Sequence, residues 1–122
     1  MSVPISKWKW FGHAGHLCVG YMCRFHLTTQ VGKYLISTVG DYYPKWDGDR
    51  QTIGCGRYFE TMVFEAGSPC DLEDCHCGIP EINGNELDFD GYNEAGSAAA
   101  GHMRMCRKWS RFHSIQHADD LK

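Results

Sequence analysis

The chain has 122 residues, a formal charge of −3 and 43% apolar residues, four tryptophans among them. That length supports one domain, residues 1–122, with a modest core. The small net charge excludes bulk attraction to nucleic acid or an anionic membrane and leaves such work to local patches. No apolar run approaches the ~20 residues of a membrane span, and "MSVPISKWKWFG" has no apolar signal region. The expected setting is therefore cytoplasmic, with no membrane partner. Seven cysteines, an odd number in a reducing compartment, then point to metal or free thiols before disulfides.

In chain order, "KWKWF" reads as a short strand or an aromatic lid. "YMCRFHLTTQVGKYLISTVGDYY" (21–43) reads as two strands rich in β-branched and aromatic residues, with Gly32 in "VGK" as the hairpin turn. "PKWDGDRQTIGCG" is a loop dense in Pro, Gly and Asp, and "RYFETMVFEA" (57–66) is a third strand. Residues 67–92 show no sustained period and carry turn signals at "GSPC", "NGN" and "DG". "NEAGSAAAGHMRMCRKWSRF" (93–112) then reads as a helix with Asn93 as N-cap. At 100° per residue, Ala95, Ala99, His102, Cys106 and Trp109 share one face, and Arg104, Arg107, Lys108 and Arg111 the other. The expected fold is α+β: a small antiparallel sheet of at least three strands, packed against a C-terminal helix, with a Cys-rich loop.

That loop, "CDLEDCHCG" (70–78), is the densest chemistry in the chain. Zinc takes tetrahedral Cys and His ligands, often two from a tight loop and two from a second element. Cys75 and Cys77 offer the first pair. His102 and Cys106, at i and i+4 on one helix face, offer the second. Cys70 is a spare or substitute ligand. The competing reading is that Cys106 and His102 are core residues, since buried Cys behaves as a small hydrophobe. A second cluster, His13, His16, Cys18, Cys23 and His26, could hold a metal with an open position, although burial would explain Cys18 and Cys23.

Along the first long strand Arg24, His26 and Thr28 alternate away from Cys23, Phe25 and Leu27. With Ser37, Thr38 and Glu60 on neighbouring strands they could serve a small metal-dependent or nucleotide-handling enzyme, His26 and Glu60 acting as acid and base. The bland alternative is the solvated face of a half-buried sheet. Deaminase, metalloprotease, P-loop and dinucleotide-binding signatures are absent. Arg104, Lys108 and Arg111 could contact a partner protein or phosphates, and Trp8, Trp10 and Phe11 with Lys7 and Lys9 could stack on bases.

The stretches "WFGHAGHLC", "CRFHLTTQVGKYLISTVGDYYP", "YFETMVF" and "YNEAGSAAAGHMRMCRKW" together resemble an uncharacterised family of small proteins encoded in bacteriophages and prophages. The resemblance covers Trp8 to Trp109, with a shorter segment here between Pro44 and Ile53. It implies a phage origin and action inside a host cell, and it supplies no activity. The function expected from it is a zinc-stabilised protein-interaction module whose partner is a host protein, in the manner of an inhibitor of host defence such as an anti-CRISPR. This last step rests on class association alone. Nucleic-acid binding through the basic helix face is a further alternative.

Overall fold

The computed structural model describes residues 3–11, 23–45, 47–54, 56–70 and 78–120, with the backbone alone from 112 onward. Among these residues five strands form one antiparallel sheet in chain order: β1 (Lys9–Phe11), β2 (Cys23–Val31), β3 (Tyr34–Tyr42), β4 (Phe59–Pro69) and β5 (Pro80–Tyr92). One helix, α1 (Ala95–Asp120), packs across a face of that sheet. The architecture is α+β.

The β2–β3 hairpin forms where expected. Val31 pairs with Tyr34, so only Gly32 and Lys33 make the turn. Gly32 takes φ 61°, the left-handed value that the first central position of a type II′ turn requires. β3 is buried from Tyr34 to Gly40, on both of its faces. A central strand covered on both sides reads as a continuous apolar and small-residue run rather than an alternating one.

Residues 67–92 are where expectation and structure part. β4 continues to Pro69, and β5 fills most of what read as turns. The register explains the masked signal: Val63 pairs with Asp88, but Glu65 pairs with Asn83, so Phe64 alone faces residues 84–87. This wide bulge carries Gly84 at φ 88°, and a bulge of that size destroys the period of two on which strand recognition rests. β5 is also an edge strand with most residues exposed, so little apolar alternation was needed.

α1 begins at Ala95 rather than immediately after Asn93, and the Ala98 amide bonds to the Glu94 carbonyl. Its sheet side carries Ala98, His102, Met105, Cys106 and Trp109, all buried. Ala95, expected to face inward, is exposed, because the first turn precedes contact with Phe59 and Tyr92 at Ala98. The main cluster joins Trp8, Val31, Tyr34, Ile36 and Val63 to Met105, Cys106 and Trp109. Within it Tyr34 meets Trp109 edge-on at 4.8 Å between ring centroids. Trp8 belongs to this core, its indole N–H donating to the Val3 carbonyl at 3.1 Å, so it is not available to stack on a base.

The opposite face of the sheet is solvated only in part, with Arg24 exposed and His26 half-buried. Thr28, Leu35, Ser37, Val39 and Phe64 point that way by strand alternation and are all buried. At one end the β3–β4 connection folds over it, with Ile53 packed on Val39 and Cys23.

Candidate functional site

The centre of the helix–sheet interface is polar. Thr38 on β3 and Thr61 on β4 are directly paired, Thr29 on β2 lies two residues along opposite Ile36, all three are fully buried, and His102 of α1 descends among them, also fully buried. The His102 Nε2 atom is 2.8 Å from Thr29 Oγ1, and Nδ1 is 2.6 Å from Thr38 Oγ1. Thr38 Oγ1 is in turn 2.6 Å from Thr61 Oγ1. The Thr29 hydroxyl also lies against the Cys106 thiol. The Trp10 ring closes the outer end, 5.9 Å from the imidazole between centroids.

The three hydroxyls and the imidazole form one continuous hydrogen-bonded chain. Each hydroxyl has one proton to give, and a neutral imidazole has one N–H and one lone pair. If Thr61 donates to Thr38, Thr38 donates to Nδ1, and Nε2–H donates to Thr29, every member is satisfied, and the reverse order works equally well. Both orders use a neutral ring, whereas a ring protonated on both nitrogens would donate to both hydroxyls, so burial decides between the forms. Burial favours the neutral ring, lowering the His102 pKa to about 4, because a buried cation is disfavoured. The same burial pushes the Cys106 thiol up to about 12. Neither group is reachable by solvent, so the arrangement pins the helix to the sheet rather than exchanging protons with a substrate.

Of the expected zinc ligands, Cys75 and Cys77 lie outside the described residues. His102 and Cys106 do share the inward face of α1, yet both nitrogens of His102 already bond hydroxyls. Cys70, the last described residue before that segment, lies seven residues beyond Val63, which packs in the same cluster as Cys106. At strand rise that is about 20 Å. Among the described residues no three His, Cys, Asp or Glu side chains converge in a way that could hold a metal ion. His13, His16 and Cys18 fall outside the described residues, whereas Cys23 is core, packed with Val39.

His26 and Glu60 do share a face. Both pair with Val39 of the strand between them, which sets their Cα atoms about 10 Å apart. Burial, and then the nearby Glu86, raise the Glu60 pKa, and its carboxylate lies against Gly54. No hydrogen bond links Glu60 to His26, so they are not a preformed acid–base pair.

The basic side of α1 is exposed as expected: Arg104, Arg107, Lys108 and Arg111 all face outward. Lys108 is committed to Asp88 at 2.6 Å. Asp88 also accepts from the Trp109 indole N–H at 3.0 Å and from the Phe89 amide at 2.9 Å. Burial works against ionisation of Asp88, but these bonds outweigh it and hold its pKa below the usual carboxylate value. Sequence reading missed Thr29, Thr61 and Asp88, and grouped Thr38 with Arg24, His26 and Glu60 rather than with His102. The only signal for the threonines was a β-branched hydroxyl recurring on successive strands, and nothing in sequence aligns those strands.

Set beside known proteins, the chain finds no matching family model, curated protein or solved structure. Among the described residues no helix is long and apolar enough to cross a membrane.

Proposed function

We propose that this protein works by binding another protein, as a small interaction module whose contact face is the basic side of α1. One observation carries the reading. Arg104, Arg107 and Arg111 stand exposed without an ion-pair partner among the described residues, while the other side of the same helix is locked by His102, Cys106 and Trp109. Three arginines on a rigid support are suited to an acidic surface, because guanidinium groups bind carboxylates in a fixed, two-pronged geometry. The resemblance to phage-encoded proteins makes the partner a host protein, and inhibition of a host defence system is the role that follows.

Zinc enters this reading through the thiols of residues 70–78, with Cys70 taking the place expected of His102. The support is that His102 is already bonded at both nitrogens. Elemental analysis of protein purified without added zinc tests it: about one zinc per chain, lost in Cys77→Ser and kept in His102→Gln, is the expected result.

The binding test is a host protein co-purified with the wild type and then assayed as a purified pair. Replacing Arg104, Arg107 and Arg111 together by Glu should weaken the pair at least a hundredfold without unfolding the module. Undiminished affinity in that variant refutes the reading. A short oligonucleotide bound in place of any protein, with affinity falling steeply as salt rises, would favour nucleic acid instead.

A further inference from the structure

An edge strand is a template on which another strand can form. Among the described residues nothing pairs with the outer side of β5, and the strand carries exposed Ile82, Leu87 and Phe89. Such an edge invites a second copy of the chain, because pairing about a two-fold axis satisfies the same groups on both copies.

Two parts of β5 resist this through their backbone alone. Pro80, at the start of the strand, has no N–H to donate. The bulge of residues 84–87, with Gly84 at φ 88°, bends the strand out of a pairing geometry. The stretch from Asp88 to Tyr92 has neither feature. It pairs with Val63 to Phe59 on β4, and no register shift falls between Asp88 and Tyr92.

In that regular stretch alternate residues turn their N–H groups away from β4, and those residues are Phe89 and Gly91. Neither amide is left open. The Phe89 amide donates to Asp88 Oδ1 at 2.9 Å, and the Gly91 amide donates to Asp90 Oδ1 at 2.8 Å. A bond from an amide to a carboxylate is stronger than one to the carbonyl that an incoming strand would offer. Two-fold pairing centred here would also set the carboxylates of both copies across from one another, and like charges in opposed positions destabilise a strand pair.

The aim of Asp88 is set from the helix. Its Oδ2 atom accepts from the Lys108 ammonium at 2.6 Å and from the Trp109 indole N–H at 3.0 Å. Those bonds fix the carboxylate so that Oδ1 stays on the strand amide. The docked helix therefore helps to close the edge of the sheet beside it.

We infer that Asp88 and Asp90 form an edge guard, which closes both outward amides in the regular stretch of β5 and keeps the sheet from extending into a second copy of the chain. The guard does not depend on what the basic side of α1 binds.

The test measures self-association of the intact protein by sedimentation at rising concentration. Asp90→Val removes the acceptor of the Gly91 amide and leaves Lys108 and Trp109 their bonds to Asp88. Asp90 is exposed, so this variant should fold, and circular dichroism verifies it. Glu86→Val is the control, since it removes a like charge from β5 and holds neither amide. Asp90→Val should dimerise at least tenfold more tightly than wild type, with concentration-dependent amide shifts centred on 88–92, and Glu86→Val should match wild type. Unchanged association of Asp90→Val, equal association of Glu86→Val, or shifts centred elsewhere each overturns the inference. So does a wild-type protein that already pairs through 88–92.

Discussion

The polar chain at the helix–sheet interface makes a quantitative demand on how stability varies with pH. His102 has a pKa of about 4 in the folded protein, against about 6.5 when unfolded. The unfolded state therefore binds a proton between those values and the native state does not. With the folded pKa depressed, the stabilising contribution is complete above pH 6.5 and is lost as pH falls toward 4. A difference of roughly two and a half units corresponds to about 3 kcal/mol, a large part of the stability of a domain this size. Urea unfolding at pH 7.5, 6.5, 5.5 and 4.5 measures it directly. His102→Gln, which keeps hydrogen-bonding capacity but cannot titrate, should be less stable at pH 7.5 by about 1–3 kcal/mol. Its curve should then lack the His102 slope, so that the two proteins converge toward pH 4. Parallel curves over that interval would refute the buried neutral imidazole, and with it the proton arrangement drawn from the threonine contacts.

Other variants probe the same frame. Gly101→Ala places a methyl into the Tyr92 ring and hydroxyl; the overlap should cost about 2 kcal/mol by thermal melting despite the better helix propensity of Ala, and Tyr92→Leu should restore most of it. Asp88→Ala strands the indole N–H of Trp109 and frees Lys108, which should destabilise by about 2 kcal/mol; the contribution of Asp88 is otherwise lost as pH falls below the usual carboxylate range, because its folded pKa is lowered. Glu60 shows the opposite sign: its raised pKa makes ionisation a burden, so Glu60→Gln should be more stable than wild type at pH 7 and equal to it at pH 3. Cys106, with its thiol pushed up to about 12, should resist iodoacetamide at pH 8 until urea is added, as mass spectrometry of the labelled peptide will record.

The sequence by itself determined those features that depend on neighbours along the chain. The β2–β3 hairpin was legible because Gly32 sits between two β-branched runs, and the basic face of α1 because arginines recur at helical spacing. The inward pointing of His102 and Cys106 followed from the same arithmetic. What the tertiary structure decided depends on residues far apart in sequence. Strand β5 was invisible because its bulge against Phe64 is defined only by pairing with β4. The role of His102 was open between ligand and core until Thr29, Thr38 and Thr61, from three different strands, came within hydrogen-bond distance. Register brought those hydroxyls together, and register is a property of the assembled sheet. Asp88 likewise became the anchor of Lys108 and Trp109 only when the edge strand and the helix lay side by side. Local chemistry sets periodicity and turns, whereas the partner of a buried polar group is chosen by packing.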